Sequence, residues 1–256
     1  MTLRLSSGLR NHLLNGGSMK QAFSGGKLKI YSGSQPATAD AAPTGTLLCT
    51  ITDTNGTHTQ EVRATGTITL SGASGSVTAV TVNGLTVLGE TIAFTTDLAT
   101  TAAALAEAIN EYPSVPKISA SASGAVVTLT APQGAGSTAN GWVVDSTCTT
   151  LVGTDVNMSG GVNSANGLKF DKGAAGVMDK LDSQTWSGVA VATGTAGWFR
   201  LEGPVADSGA LDSTESQIRM DGAISTSGAQ LNMSSTSITS SATQTITSFP
   251  ITLPTS

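Results

Sequence analysis

Short strand-like segments separated by turn residues recur along this chain, and they constrain its fold more than any other feature. In the last third they run at 186–192, 197–202, 217–221, 230–237 and 243–253. Strands at such regular spacing are typical of a β-sandwich or a jelly roll. Only 11% of the residues are charged, and Gly, Ser, Thr, Ala and Val fill much of the rest. This composition favours strands and turns, so we predict a mainly β protein.

The N-terminal residues are an exception, because they carry a short helical pattern. Leu5, Leu9 and Leu13 lie four residues apart, and the pattern stops at the Asn-Gly-Gly of residues 15–17. We predict an arm or a small packing helix here. Lys27–Tyr31 then alternates polar and apolar residues as a half-buried strand does. We predict that the Leu-bearing arm and this strand extend a neighbour's sheet by edge addition, and that the arm makes the contact with a partner.

A second helix is predicted inside a region that otherwise consists of short strands. Thr96 or Asp97 can cap a helix that runs from Leu98 to about Tyr112, and Pro113 ends it. The helix is flanked by two predicted hairpins, one that turns at Asn83-Gly84 and one that turns at Ser123-Gly124.

Glycine-rich joints bracket this helix-containing region at about residues 64 and 162. We therefore predict that residues 64–163 form an inserted small α+β domain. Residues 1–63 and 164–256 are predicted to close into one jelly-roll-like β-sandwich, with residues 1–26 as an N-terminal arm.

Charge and hydropathy exclude several kinds of partner. Twelve Lys and Arg are scattered against seventeen Asp and Glu without a basic stripe, so we expect no direct contact with nucleic acid. Met1–Leu14 lacks the apolar stretch of a secretion signal, and no window is apolar enough to span a membrane. We expect a soluble chain made in a cytoplasm, with no membrane partner.

The residues that most often carry catalysis or bind metals are few and far apart. His12 and His58 are both interpreted as solvated surface residues. Cys49 and Cys148 are expected to be buried free thiols, and the four side chains lack the short spacings of a zinc site. We predict no catalytic residue, no metal site and no cofactor, and hence a protein that is not an enzyme.

Two loops resemble ligand motifs, but both have simpler interpretations. The alternating oxygen donors of residues 53–57 resemble part of a calcium loop, although they lack its later Glu, and we interpret them as turn caps. Gly134, Gly136 and Ala139 fit a loose dinucleotide pattern with Asp155 at a plausible distance. The motif leads into a predicted strand where a helix N-terminus is needed, which argues against a cofactor.

Three tryptophans could form a platform for sugar stacking. Trp186 and Trp198 lie in alternating strand patterns, however, and this favours positions in the core. A carbohydrate-binding or adhesin module, in which Trp142 would contribute, remains an alternative.

Several stretches resemble uncharacterised virion structural proteins of tailed bacteriophages. These are Leu9–Leu14, Gly26–Leu48, Gly176–Lys180, Trp186–Leu201 and Phe249–Pro254. The inserted region resembles a small β-rich module with one Ala-rich helix that recurs in phage particle proteins.

The resemblance implies a jelly-roll-like domain of the sort that capsid decoration or cement proteins use to clamp capsid subunits. The implied location is the virion, after assembly in the bacterial host cytoplasm. The implied partners are the major capsid protein or other virion proteins, with the chain as a homo-oligomer on the particle. A neck or tail component, such as an adaptor, tube or fibre-base protein, is the alternative within the same setting.

Overall fold

The structure is a computed structural model that describes residues 3–207, 209 and 217–252. The chain divides into two compact units, one made of residues 1–61 and 164–256 and the other of residues 62–163. The sequence placed the two boundaries after residues 63 and 163, and the structure places them after residues 61 and 163.

The elements of the first unit come from both ends of the chain. Its N-terminal part contains β1 (Arg4–Leu5), α1 (Ser7–Leu14), α2 (Met19–Phe23), β2 (Lys27–Ser32) and β3 (Leu47–Asp53). The second unit contains β4 (Thr65–Ser71), β5 (Ser76–Val82), β6 (Leu85–Thr86), β7 (Ile92–Ala93), α3 (Leu98–Glu111), β8 (Ser119–Ser123), β9 (Val126–Thr130), a 3-10 turn (Gly136–Ala139), β10 (Val144–Thr149) and β11 (Val152–Ser159). The chain then returns to the first unit with β12 (Val177–Met178), β13 (Trp186–Val189), β14 (Gly194–Glu202), β15 (Arg219–Ser225), β16 (Leu231–Asn232), β17 (Ser237–Ile238), β18 (Thr243–Ile246) and β19 (Ile251–Thr252).

One large sheet organises the described part of the first unit. Its strands follow the order β1-β15-β14-β2-β3-β13-β18, all antiparallel, with β16 added parallel to β15 and β17 paired to β14. A separate antiparallel pair joins β12 to β19. The mainly β class with several antiparallel sheets is confirmed and is consistent with a β-sandwich, and the jelly-roll connectivity stays a prediction.

The apolar face of this sheet is the core of the first unit. Alternation places Leu28 and Ile30 of β2 beside Phe199 and Leu201 of β14, and all four are fully buried. Four aromatic rings extend this core, with neighbouring ring centroids 5.1–6.5 Å apart: Phe170, Trp186, Phe199 and Phe249. Trp186 is 0% exposed, as is Trp198 on the opposite face of the sheet, so the prediction that both are core residues is confirmed.

The N-terminal residues pack onto the first unit. Ser6 caps α1 by accepting a bond from the Leu9 amide at 3.2 Å, and Leu9 and Phe23 are fully buried. Strand β2 lies between β14 and β3, so both of its edges are already paired. The prediction that Lys27–Tyr31 extends a neighbour's sheet is therefore wrong.

The second unit packs α3 against one of its two sheets. The sheets have the orders β10-β5-β6, with β7 on β5, and β11-β4-β9-β8. Helix α3 begins after the cap Asp97, which confirms the predicted helix and its start. The Asn83-Gly84 hairpin is confirmed, with φ values of 50° and 78°. The second hairpin turns one residue later than predicted, at Gly124-Ala125, because Ser123 pairs with Val126.

Among residues 3–207, 209 and 217–252, none of the helices combines the length and the hydrophobicity that crossing a bilayer requires.

Candidate functional site

Charged and aromatic side chains occupy the face of the large sheet that lies opposite its apolar core. Alternation along three adjacent strands brings them together, since residues two apart in a strand lie on the same face. They are Lys27, Lys29 and Tyr31 on β2, Trp198, Arg200 and Glu202 on β14, and Arg219 and Asp221 on β15. We call these eight residues the charged face.

The acidic and basic groups of the charged face are paired at short distances. The Arg200 guanidinium donates two bonds to the Asp221 carboxylate, Nε to Oδ1 and Nη2 to Oδ2, both at 2.7 Å. The side chain of Asp221 is 0% exposed and that of Arg200 is 2% exposed. The Lys29 ammonium donates to Glu202 at 2.6 Å, and Lys27 lies 3.6 Å from the same carboxylate. Bidentate arginine pairs of this kind are strong and directional when buried.

Further donors of Arg200 and Arg219 bond to the segment that joins β2 to β3, residues 33–46, which we call the covering segment. Arg200 Nη2 donates to the Ala41 carbonyl at 3.0 Å, and Arg219 Nη1 donates to the Asp40 carbonyl at 3.1 Å. Arg219 also makes two 2.6 Å bonds to Asp207, which lies beyond the end of β14. Two distant segments of the chain are thus tied to the charged face.

The same covering segment holds the start of α1. The Asp40 carboxylate accepts bonds from the Ser7 amide and hydroxyl at 2.9–3.0 Å. Ser6 Oγ accepts a further bond from the Arg219 amide at 3.1 Å. The helix start, the covering segment and β15 therefore form one hydrogen-bonded network.

The two aromatic side chains of the charged face pack against each other at one end of it. Tyr31 and Trp198 stack with ring centroids 4.5 Å apart and an interplanar angle of 11°. The Arg200 guanidinium lies 5.6 Å from the centre of the Trp198 ring, which is within the range of a cation–π contact. The Trp198 indole N–H donates to the Thr44 carbonyl at 3.3 Å, so this ring also contacts the covering segment.

The electrostatics of the face follow from burial and pairing. Burial raises the pKa of the Asp221 carboxyl, and the bonds from Arg200 offset part of that rise. For Asp207, burial also acts to raise the pKa, but the Arg219 bonds and the Gly209 amide lower it overall. The bonds to Asp207 in turn raise the pKa of Arg219. Pairing therefore favours the charged forms of Asp207 and Arg219, whereas burial works against the charged form of Asp221.

We expect the stability of the first unit to fall between pH 10 and about 12 because of Tyr31. Burial, followed by the charge of Glu202, raises the pKa of Tyr31 from 10.0 to about 12. The unfolded chain releases the phenol proton near pH 10 while the folded chain retains it, so the stability is fully present below pH 10 and is lost as pH rises through that window. The loss amounts to about 2–3 kcal/mol. Denaturant titrations of the parent and Tyr31→Phe at several alkaline pH values measure it.

Tyr31→Phe removes only the phenolic hydroxyl and keeps the ring. The free energy of unfolding of the variant should therefore fall less steeply with pH than that of the parent. The Cys49 thiol, whose pKa burial raises to about 11, is present in both proteins and contributes equally to each. Equal pH slopes in parent and variant would contradict the prediction.

The histidines lie in places other than those expected. Both are partly buried, so the interpretation as solvated surface residues is wrong. His58 Nε2 lies 2.9 Å from the Gly25 carbonyl oxygen, and burial lowers the pKa of the ring. The His12 ring lies over Gly17, where an added Cβ would come within 2.2 Å of Nε2. In both cases the ring packs against a neighbouring loop.

The cysteines are free thiols, as predicted, but only Cys49 is fully buried. Cys148 is partly exposed on β10, and burial raises the pKa of its thiol. A thiol with a raised pKa is less ionised at neutral pH, and the thiolate is the reactive form.

The oxygen donors of residues 53–57 hold a turn. Thr54 and Asn55 both have positive φ values, 53° and 54°, and the Gly56 amide donates to the Asp53 carbonyl at 2.9 Å. The Asn55 side chain accepts from the Val189 amide at 3.0 Å, and Asp53 accepts from Gln184 at 3.0 Å. These residues form a tight turn, but the Asp53 and Asn55 side chains bond to residues 184 and 189 on a distant segment, so the interpretation of them as caps of their own turn is not what the structure has.

The glycine motif leads into a four-residue 3-10 turn, Gly136–Ala139, and then into β10. The Asp155 carboxylate accepts bonds from the Ser146 amide and hydroxyl at 2.8 Å. Within the described residues, no cluster of three or more His, Cys, Asp or Glu side chains is placed to hold a metal ion.

An apolar groove on the first unit is a further candidate for ligand binding. It has a volume of about 610 Å³ and is lined by Leu13, Met19, Val177, Met178 and Ile251, with Lys20 at its rim. Leu14, next to it in sequence, is 84% exposed. The predicted partner contact of the N-terminal residues falls on this part of the surface.

Sequence reasoning missed the charged face, although a signal for it is present. Arg200 and Glu202 alternate with Phe199 and Leu201, so one face of this strand is charged and the opposite face is apolar. In a chain with few charges this alternation is informative. Which acidic residue pairs with which basic residue on a neighbouring strand can be assigned only when the register of the two strands is known.

The chain was compared with protein-family models, with curated proteins and with solved structures, and nothing matches it.

Proposed function

We propose that the chain is a non-catalytic structural protein of a bacteriophage particle, and that it decorates and stabilises the major capsid lattice. The observation that carries the proposal is the use of charge in the first unit. The chain has only 29 charged residues, and seven of them, four basic and three acidic, form ion pairs that link strands of the first unit to one another and to Asp207. Such a network suits a rigid scaffold that presents surfaces to partners.

The segments that resemble virion proteins coincide with this scaffold. Leu9–Leu14 lies in α1, Gly26–Leu48 spans β2, the covering segment and the start of β3, and Trp186–Leu201 spans β13 and most of β14. The resemblance therefore involves the residues that build and cover the charged face, which supports a shared scaffold.

Decoration of a lattice also fits the physics of many weak contacts. A protein that binds a symmetric shell repeats each contact at every equivalent position, so modest interfaces add up over the particle. The proposal needs an exposed contact surface on the first unit, and Leu14 with the adjoining groove supplies a candidate.

The test is to add the purified chain to capsids that lack it. We expect binding at a fixed number of copies per capsid and a higher temperature of genome release. Leu14→Glu should weaken binding at least about tenfold, since it places a charge in an apolar contact. Val191→Glu is the matched control, because Val191 is 66% exposed and should leave binding unchanged. Capsids that bind no chain would rule out the decoration role.

A further inference from the structure

Residues 57–61 are the last residues of the first unit before the chain enters the second, and we call them the leading segment. A few backbone bonds hold this segment in place. Thr59 exchanges two 3.1 Å bonds with Ala165, and the Glu61 amide donates to the Pro204 carbonyl at 2.9 Å. So short a run of bonds can open locally while the rest of the unit stays folded.

The side chain of His58 ties the leading segment to the turn before β2. His58 Nε2 lies 2.9 Å from the Gly25 carbonyl oxygen. Because a carbonyl oxygen only accepts, Nε2 carries the proton of the neutral ring. The Gly25 amide in turn donates to the Leu168 carbonyl at 2.7 Å, so the turn that receives the ring is itself held.

The other ring nitrogen of His58 has no place for a proton. Nδ1 is enclosed by protein and bonds to none of the described residues. A second proton would have to sit on this nitrogen, where it would be a buried donor of a charged group without an acceptor. Buried donors in that state are costly, and the cost is greater for a charged group. The contacts of the ring therefore fit its neutral form.

The charges around the ring also oppose a second proton. Lys27 and Lys29 of β2 act against a positive ring, and Glu202 of β14, to which both lysines are paired, acts in its favour. Within the leading segment the other titratable side chain is Glu61, which is 4% exposed. The other residues that bond to the segment or to its turn lie in stretches without titratable side chains: 24–26, 164–168 and 203–205. Two cations against one anion on the neighbouring strands leave a net positive charge facing the ring.

Burial and charge shift the titration of His58 in one direction overall. Burial lowers the pKa of the ring from 6.5, and the bond to Gly25 offsets part of that fall. Lys27 and Lys29 lower the pKa further, and Glu202 raises it. A ring that has left these surroundings titrates near the ordinary value of 6.5. Protonation is therefore easier when the leading segment is open.

We propose that His58 is a proton-operated latch: the neutral ring holds the leading segment on the Gly25 turn, and protonation of the ring releases it. The direction follows from linkage, because the open form binds the proton more readily than the closed form. The stabilisation is fully present above pH 6.5 and is lost as pH falls from there through the lower pKa of the closed form. Histidine suits this role because its charge changes under mildly acidic conditions.

The experiment is hydrogen exchange of the Thr59 and Glu61 amides in the full chain, from about pH 7.5 to about pH 5.5. Each exchange rate is divided by that of an unstructured amide at the same pH, which gives the opening constant of the leading segment. We expect this constant to rise at least about threefold as pH falls over that range. Titration of the His58 ring followed by NMR should show a midpoint below 6.5.

Three variants separate the latch from a purely structural role of the ring. His58→Gln keeps an N–H donor for the Gly25 carbonyl but does not titrate, so its opening constant should not change with pH. His12→Gln is the matched control, since it removes the other histidine of the chain and should respond to pH like the parent. Lys27→Met removes one of the facing cations and should move the midpoint of the His58 titration up towards 6.5.

An opening constant of the parent that stays the same across the pH range would overturn the proposal. A His58→Gln variant that responds to pH like the parent, or a His12→Gln variant that loses the response, would overturn it as well. If His58→Gln leaves the segment open at every pH, the Lys27→Met titration decides: a raised midpoint supports the latch, and an unchanged midpoint contradicts it. All of these measurements use the purified chain, so their outcome does not depend on whether the chain binds capsids.

Discussion

Asp221→Ala lowers the free energy of unfolding of the first unit by about 3–5 kcal/mol, because it leaves the buried Arg200 guanidinium without its counter-charge. Two 2.7 Å bonds are lost, and the arginine side chain, 2% exposed, cannot reach water without disturbing the sheet. Hydrogen exchange of the β14 and β15 amides is the measurement, since it follows this unit separately from the second.

Two further variants show whether the loss of unfolding free energy in Asp221→Ala comes from the unpaired charge or from lost packing. A double change, Arg200→Met with Asp221→Leu, removes both charges and should recover much of the loss. Lys27→Met removes a partner that is 3.6 Å from Glu202 and 18% exposed, and should cost less than about 1 kcal/mol. If Asp221→Ala cost no more than Lys27→Met, the charged face would not be the network described.

Trp186→Ala should cost about 3–5 kcal/mol, because it opens a cavity among the rings of the apolar core. Trp186 is 0% exposed, with ring centroids 5.1 Å from Phe170 and 5.7 Å from Phe249. Its indole N–H also donates to Gln184 at 3.1 Å, a bond that the variant loses. Hydrogen exchange of the β13 amides, measured over a series of denaturant concentrations, gives the size of the effect.

Val189→Ala on the same strand is the control for Trp186→Ala. Val189 is 40% exposed, so this truncation should cost less than about 1 kcal/mol. Equal costs for the two truncations would mean that the aromatic rings do not form the core of the first unit.

The predictions that succeeded rest on local signals. Helix α3 has a capping Asp97, an apolar stripe and a terminating Pro113 within one short stretch. The Asn83-Gly84 turn is specified by two residues that tolerate positive φ. Such features act over a few residues, so the sequence shows them directly.

The predictions that failed depend on pairing between distant segments. Residues 230–237 were expected to form one strand, but β16 pairs with β15 and β17 pairs with β14, so the segment is divided between two partners. The predicted strand 243–253 divides in the same way, between β18 on β13 and β19 on β12, and its residue 253 lies outside the described residues. The predicted strand 217–221 begins at Arg219 and continues to Ser225, and its residue 217 is described as a bend.

The charged face shows the same distinction. Alternation along β14 puts Arg200 and Glu202 on one side of the strand, and that much is local. The choice of Asp221 as the partner of Arg200 follows from antiparallel register with a strand some twenty residues away, and the covering segment at Asp40 is further still. No spacing within a single segment predicts these contacts.

The number of copies of this chain in purified virions tests the proposed role most directly. Quantitative mass spectrometry against the major capsid protein would provide it. Decoration of the capsid lattice predicts on the order of hundreds of copies per particle, in a fixed ratio to the capsid protein. A count of about a dozen or fewer would point to the neck or tail instead, and no copies in the virion would contradict a role in the particle.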